Sequence, residues 1–249
     1  NTIPSYTYPT EVKENTENVI VGTFRSNILG TFTGKGTVTI YGGGDRCAIH
    51  SDFSKFEGTL KLQGANSMWR ETVTDMPLTD VVIDGKLSLY RINKRYAAQS
   101  NKGGTLGSLA STYSDAQLGA GIWTIGANNH DAVFNGKLVS GSTVTKVGSG
   151  TWTLNSGKNT SSIAVNAGRV ILFSGTSGSV SVAKDAVLAF GDGTTRCSAP
   201  KVGTDLVVNG GKVAFNVDVY RNDQFTSVKN VVLDNAVISV NTINGKTLT

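Results

Sequence analysis

The chain has 249 residues, of which 39% are hydrophobic and 16% are charged, with 30 glycines and a formal net charge of +5. This composition supplies enough apolar side chains for a packed core and excludes global disorder, and without a run of 18 apolar residues no transmembrane helix is expected. Lys and Arg are scattered through predicted turns instead of being concentrated on one element, so we expect no nucleic-acid partner.

Short runs in which apolar and polar residues alternate occur along most of the chain. In chain order they lie at 37–41, 59–62, 86–90, 122–125, 151–154, 212–215 and 237–240. A period of two places successive side chains on opposite faces of a strand, so each run can bury one face and expose the other. The best candidate for a helix, 106–116, is interrupted by Gly107 and by serines. We therefore predict an all-β fold.

A small residue, usually glycine, precedes most of these runs by one or two positions and marks an internal repeat. These anchor residues are at positions 36, 58, 85, 150, 168, 186, 211 and 236. Units of roughly 20 residues are typical of a solenoid, in which each coil buries its apolar face against the next. Stacking at about 4.8 Å pairs the backbone groups of each coil with the coils above and below. The pattern predicts a parallel β-helix of roughly ten coils.

The main alternative is a β-sandwich. Asn-Gly pairs at 135–136, 209–210 and 244–245 are typical of tight hairpins between antiparallel strands. The repeated glycine anchors favour the β-helix over this alternative.

Two stretches resemble a known repeat. They are VTKVGSGTWTLNSG at 144–157 and IAVNAGRVIL at 163–172, and similar rungs precede them at 122–126 and 131–138. Together they resemble the passenger-associated repeat of autotransporters, in which a Lys and two Gly lead into a short strand, followed by a polar turn and a second strand. The specific part of the resemblance covers 120–172.

The resemblance is looser at 205–249 and at 21–64, where it is similar to a rung in proteins of Bacteroidetes-type bacteria. It implies a right-handed β-helix that is secreted or lies on a bacterial cell surface. In that family such repeats act mostly as a scaffold or stalk, and sometimes flank a polysaccharide lyase or an adhesive segment.

We interpret 1–249 as a single β-helix domain with a more irregular segment at about 65–118. The last residues, 244–249, are similar to a turn that opens another strand, and they contain no polar cap. An uncapped solenoid end exposes apolar edges, so we expect a fragment whose native chain continues beyond Thr249.

The segment at 69–96 contains the best candidates for a ligand site. Its acidic residues are Glu71, Asp75, Asp80 and Asp84. Its candidates for binding glycans are Trp69, Tyr90, Arg91, Lys94, Arg95 and Tyr96. Lyases with this fold hold Ca²⁺ between converging carboxylates and use a basic side chain to abstract a proton. Aspartates in turn sequences more often bond to nearby backbone, so we predict no catalytic or metal site here.

The two histidines, Trp123 and Trp152 are interpreted as structural. His50 and His130 have no partner at the spacing of metal ligands, so neither a metal nor another cofactor is expected. No G-x-S-x-G elbow accompanies them, and neighbours of His130 in the chain point away from it, so catalysis there is not predicted. We interpret Trp123 and Trp152, at equivalent positions of two rungs, as a stacked pair.

Cys47 and Cys197 lie several coils apart in a rod, further than a disulfide can span, so we expect two unpaired thiols. The similar sequences around the two cysteines leave a disulfide open as the alternative.

Two functions from different classes follow. The first is a non-catalytic β-helix segment, secreted or on the bacterial cell surface, that serves as a scaffold or in adhesion to host or microbial surface glycans. The second is a carbohydrate-active module that binds or cleaves acidic polysaccharides. The arrangement of 69–96 distinguishes them, because a lyase needs a groove with converging carboxylates and a base.

Overall fold

In a computed structural model, the described part of the chain consists of strands, turns and loops and contains no helix. The structure describes residues 5–22, 26–42, 46–64, 68–70, 75–86, 88–89, 103–155, 159, 161–197, 200–217 and 228–243. The strands are β1 (Ser5–Tyr6), β2 (Thr10–Val12), β3 (Glu17–Gly22), β4 (Ser26–Ile28), β5 (Thr31–Gly34), β6 (Thr37–Gly42), β7 (Arg46–Ile49), β8 (Asp52–Phe56), β9 (Thr59–Gln63), β10 (Met68–Arg70), β11 (Met76–Asp84), β12 (Ser88–Leu89), β13 (Gly103–Ala110), β14 (Gln117–Leu118), β15 (Gly121–Ile125), β16 (Ala132–Phe134), β17 (Lys137–Leu138), β18 (Ser142–Lys146), β19 (Thr151–Leu154), β20 (Ser162–Val165), β21 (Arg169–Leu172), β22 (Val180–Val182), β23 (Val187–Phe190), β24 (Asp205–Asn209), β25 (Lys212–Val217), β26 (Asn230–Asp234) and β27 (Val237–Thr242). No helix in these ranges could therefore cross a membrane.

The strands pair in parallel in four sheets. The strand orders are β1-β4-β7-β10-β12-β14-β17, β2-β5-β8, β16-β19-β21-β23-β25-β27 and β3-β6-β9-β11-β13-β15-β18-β20-β22-β24-β26. Sheet neighbours are separated by one or two other strands in sequence, so the chain returns to each sheet once per coil. The prediction of an all-β parallel β-helix of roughly ten coils is confirmed. The sandwich alternative is wrong for the described strands, because their pairs are parallel and Asn135-Gly136 leads from β16 to β17 in another sheet instead of closing an antiparallel hairpin.

The long strands β11 and β13 carry the eleven-stranded sheet around a corner of the solenoid. Residues 80–82 of β11 pair with residues 108–110 of β13, whereas residues 103–106 of β13 pair with β15. Next to this corner, Ser111 forms a bridge with Phe134 of β16. One side of the solenoid therefore runs through β3, β6, β9, β11, the end of β13, β16, β19, β21, β23, β25 and β27. We call it the third side.

The predicted anchors stack on one another where strands of the third side begin. In each case the amide after one anchor donates to the carbonyl of the anchor one coil earlier: Val187 to Gly168 (2.9 Å), Lys212 to Ala186 (2.9 Å) and Val237 to Gly211 (3.0 Å). The anchor at Gly85 is wrong. Thr79 lies above Gly58 instead, since the Asp80 amide donates to the Gly58 carbonyl (3.0 Å). The long strand β11 shifts the repeat at this coil.

The interior is a continuous apolar column, in which residues of equal register lie above one another. Phe32 and Phe53 stack with ring centroids 4.6 Å apart and planes 7° apart, and Phe190 stacks on Phe215 at 5.2 Å. Burial of such rings is the main stabilising contribution of each coil to its neighbours.

Trp123 and Trp152 are both buried, but the predicted stacking between them is wrong. Trp152 stacks on Phe134, with centroids 6.4 Å apart. The two indole N–H groups donate to different carbonyls, Trp123 to Gly119 (2.8 Å) and Trp152 to Leu109 (3.0 Å). The reason is topological: β15 and β19 lie on different sides of the coil, which similarity between two short runs does not show.

Cys197 is buried, with 2% of its surface exposed. Cys47 lies in β7, and its side chain is outside the described part of the structure. The pairing of the cysteines therefore stays a prediction. The interpretation of 1–249 as a single domain also stays a prediction.

Candidate functional site

The predicted glycan-binding residues lie almost entirely outside the described residues. Trp69 belongs to β10, which pairs in parallel with β7 and β12, and only its backbone is described. Outside the described ranges lie Tyr90, Arg91, Lys94, Arg95 and Tyr96. Their proposed role in binding glycans stays a prediction.

The three described aspartates of the acidic group take different partners. Asp75 accepts a hydrogen bond from the Thr105 amide (3.0 Å), and Asp84 accepts one from Gln63 Nε2 (2.8 Å). Asp80 and Asp84, four residues apart on β11, point to the same outer face. Among the described residues, no group of three or more His, Cys, Asp and Glu side chains could hold a metal ion.

The densest polar cluster joins Asp80 to His130, which is 50 residues further along the chain. His130 Nδ1 lies 3.0 Å from Asp80 Oδ2. Asp80 Oδ1 accepts hydrogen bonds from Asn128 Nδ2 (2.7 Å) and Ser108 Oγ (2.6 Å). This cluster was not among the predicted sites. The stacking of the anchor residues could have placed Asp80 close to His130. That inference needs the knowledge that Thr79, and not Gly85, lies above Gly58.

This cluster joins neighbouring coils, and its geometry differs from that of a catalytic triad. A carboxylate at Nδ1 holds the imidazole in the tautomer with a proton on Nδ1 and leaves Nε2 as an acceptor. In a Ser-His-Asp triad the nucleophilic hydroxyl bonds to Nε2. Here the Ser108 hydroxyl donates to the carboxylate instead, and Ser108 is 4% exposed. Asp80, Ser108 and His130 belong to three successive coils, which the cluster links together.

Lys146 is fully buried at the end of β18. Its Nζ donates to the backbone carbonyls of Val147 (2.6 Å) and Gly148 (2.9 Å). Gly126 makes room for it, since a Cβ there would lie 3.0 Å from Nζ. Burial lowers the pKa of the ammonium from its ordinary 10.5, and the nearby Asp131 carboxylate offsets this only in part.

An open groove of about 670 Å³ lies on the outer face of the third side. Its floor is one row of outward side chains from successive coils: Val82, Ala110, Val133 and Thr153. Val82 and Ala110 are in direct register, as are Val133 and Thr153. The floor therefore runs along the solenoid axis, across the strands.

Hydrogen-bonded polar residues form both rims of this groove. On one rim, Thr112 Oγ1 donates to Asp84 (3.2 Å), Asn135 Nδ2 donates to the Thr112 carbonyl (3.3 Å) and Asn155 Nδ2 donates to Asn135 Oδ1 (2.6 Å). On the other rim, Asp131 accepts a hydrogen bond from the Thr151 amide (2.6 Å). The cluster around Asp80 continues this second rim by two coils, because Ser108 and Asp80 lie two residues before Ala110 and Val82 on their strands.

The charges around the groove are unevenly distributed. Asp131 is the charged residue among the described residues that line it. Cations lie one coil beyond the floor: Lys61 is in register with Val82, and Arg169 with Thr151. Lys61 is 3.8 Å from Glu17, in an exposed ion pair that contributes little.

The fold and the groove define a parallel β-solenoid with a lateral, polar-rimmed surface. No protein-family model matches the chain, and no curated protein is similar enough to count as a relative.

Proposed function

We propose that the chain is a non-catalytic scaffold or adhesion segment of a bacterial protein that is secreted or exposed at the cell surface. The observation that supports this most directly is the use of the polar cluster: both oxygens of Asp80 are taken up by side chains from neighbouring coils. A carboxylate whose two oxygens both bond to side chains of neighbouring coils stabilises the stack, which fits a structural role.

The continuous apolar column supports the same proposal. A single core cluster extends from Val12 to Val213, so the coils form one rod. Eleven strands at about 4.8 Å spacing give a length of roughly 50 Å. A rod held by backbone ladders and a dry core is stiff, which suits a stalk that presents a surface away from a cell.

The part of the chain that resembles the autotransporter passenger repeat fits a structural role. Lys146 binds the carbonyls of its own turn, and the Arg169 amide donates to the Gly150 carbonyl (3.3 Å). These residues close a coil and stack it on the next one. We therefore include membership of a passenger-type β-helix in the proposal.

The last described coil supports a further element of this proposal. Its inward side chains continue the core column, yet they are 42% to 54% exposed: Val231, Leu233, Ile238 and Val240. A further coil stacked on β26 and β27 would cover them, and we include such a coil in the proposal.

The test is to incubate the purified chain with polygalacturonate and with neutral glycans, in Ca²⁺ and then in EDTA. We expect no growth of ultraviolet absorbance from unsaturated products. Calcium-dependent growth would contradict the scaffold proposal and support the alternative, a carbohydrate-active module that cleaves acidic polysaccharides. Substitutions at Asp75, Asp84 and Arg91 would then locate the site.

A further inference from the structure

We propose that the groove on the third side binds a neutral polysaccharide, with the glycan chain lying along the solenoid axis. This inference rests on the proposed role in adhesion and names the surface and the ligand class. Three features support it: the chemistry of floor and rims, the lack of an open strand edge among the described floor strands, and the charge.

The floor and rims match the two kinds of surface that a sugar ring presents. Val82, Ala110 and Val133 offer an apolar strip, and Val133 is 47% exposed. The C–H face of a pyranose packs on such a strip through the same burial of apolar surface that stabilises a core. Thr112 and Asn135 on one rim, and a carboxylate on the other, supply hydrogen-bond donors and acceptors for hydroxyl groups.

The position of the groove in the sheet argues against a peptide ligand. Its floor strands β11, β13, β16 and β19 lie inside the ladders of the third side, with strands paired on both flanks. Between β13 and β16 this flank is closed by the bridge between Ser111 and Phe134, so an added peptide strand finds no open strand edge among these described strands. The small floor side chains also leave no deep pocket for the anchors of an amphipathic helix.

The charge of the lining selects the glycan class. The Asp131 carboxylate in the lining repels uronates and sulfated sugars at short range, and no Lys or Arg belongs to the described lining. The nearby ammonium of Lys146 is fully buried and bonded to two backbone carbonyls, so it presents no cation to a ligand in the groove. A neutral chain meets no such cost, because its hydroxyls donate to the carboxylate. The repeat along the floor is one side chain per coil, about 4.8 Å, so several sugar units contact equivalent residues.

The experiment is affinity electrophoresis of the 249-residue chain through gels containing galactomannan, xyloglucan or laminarin, with polygalacturonate as the acidic comparison. Two variants obstruct the groove with a bulky cation, Val133→Arg on the floor and Thr112→Arg on the exposed rim. Ile122→Arg is the matched control, because Ile122 is an outward, 70% exposed residue of β15 on another side of the rod. Circular dichroism establishes that all variants are folded.

We expect at least one neutral polysaccharide to retard the wild-type chain, independently of salt. Val133→Arg and Thr112→Arg should each weaken this retardation at least about tenfold, while Ile122→Arg leaves it unchanged. The proposal is overturned if no neutral polysaccharide retards the wild type, or if both groove variants bind as the wild type does. It is also overturned if polygalacturonate alone retards the chain and salt abolishes this, which would point to the cations Lys61 and Arg169.

These outcomes are separable from those of the scaffold proposal. Release of unsaturated products contradicts the scaffold and is read by absorbance, whereas retardation without products concerns the groove alone. A chain that neither binds nor cleaves would remove the groove proposal and leave the scaffold in place.

Discussion

Lys146 shows how far a single residue can depart from its usual environment in this fold. Lysine is almost never fully buried unless it is paired, yet Lys146 is 0% exposed. The carbonyls of Val147 and Gly148 accept hydrogen bonds from its ammonium and take the place of the water that would hydrate it in solution. A lysine whose stem fills the interior and whose head closes the turn serves two structural purposes at once.

Replacing Lys146 by Met tests this role. The apolar stem is nearly conserved, but the two carbonyls lose their donor, so we expect Lys146→Met to lower the free energy of unfolding by about 1–3 kcal/mol. The matched control is Lys212→Met, an exposed position in β25, where we expect a change within about 0.5 kcal/mol. Urea denaturation measures both. Equal stability of the two variants would show that desolvation of the ammonium cancels its hydrogen bonds.

The lowered pKa of Lys146 has a definite sign in the dependence of stability on pH. Between the folded-state value and 10.5, the unfolded chain binds the proton more tightly than the folded chain. Stability from this group therefore rises with pH through that window and falls as the pH drops through it. We expect the stability difference between wild type and Lys146→Met to be larger at pH 10 than at pH 7. A difference that stays constant would place the Lys146 pKa near its ordinary value.

The coils are the next scale, and the cluster around Asp80 shows how they are joined. The side chains that meet at this carboxylate come from β13 and from the loop before β16, so the cluster couples elements that are remote in sequence. His130 is 58% exposed at its side chain, whereas Ser108 is buried. The buried partner should therefore contribute most.

Two alanine variants separate these contributions. Asp80→Ala leaves the Ser108 hydroxyl and the Asn128 amide without their acceptor, and we expect a loss of about 1–3 kcal/mol. His130→Ala removes an exposed partner and leaves the other two bonds intact, so its loss should stay below about 1 kcal/mol. Thermal unfolding followed by circular dichroism compares them. If His130→Ala is the more damaging variant, the cluster depends mainly on the exposed imidazole instead.

Glycine is required in the turns for two separate reasons, backbone angle and space. Gly168 and Gly210 have similar φ values, +63° and +69°. A Cβ at Gly168 would lie too close to the carbonyl oxygens of Gly148 and Gly150 in the coil below, whereas a Cβ at Gly210 would make a milder contact, 3.1 Å from the Cβ and Cγ atoms of Lys184 and 3.2 Å from its Cα. The pair separates the cost of the angle from the cost of the clash.

We expect Gly210→Ala to cost about 1–2 kcal/mol, the usual penalty for a left-handed non-glycine residue. Gly168→Ala should cost at least about 1 kcal/mol more, because a rigid backbone must move. Denaturation midpoints of the two variants measure the difference. Equal losses would mean that the coils separate without penalty to admit a methyl group.

At the scale of the whole molecule, stability should follow the stack. In a solenoid each coil contacts only its neighbours, so terminal coils lack one of the two interfaces that stabilise a central coil. The exposed inward side chains of β26 and β27 place this end of the 249-residue chain in that situation.

Hydrogen exchange followed by mass spectrometry tests this arrangement. We expect amides in β26 and β27 to exchange faster than those in β20 and β21, which are covered on both flanks by paired strands. Uniform protection along the rod would contradict this and would indicate that another layer covers the last coil.

Much of the architecture could be predicted from the residues alone, because it depends on local rules. Period-two runs and regularly spaced glycines are required by the pleat of a strand and by the tight turn between coils, so 150, 168, 186, 211 and 236 were placed correctly. The anchor at Gly85 failed where the coil length changes, and the pairing of Trp123 with Trp152 failed because similar short runs occur on different sides of the coil.

The sequence by itself determined the strand content, the parallel solenoid and the anchors of its regular half, since each follows from spacing within one coil. The tertiary structure decided what lies side by side between coils: the Asp80–His130 cluster, the burial of Lys146 and the groove floor. These depend on how many residues each coil contains, because one residue of slip turns every outward side chain inward. The lengths of coils that contain irregular segments are set by the packing of the whole stack, which no single run of residues encodes.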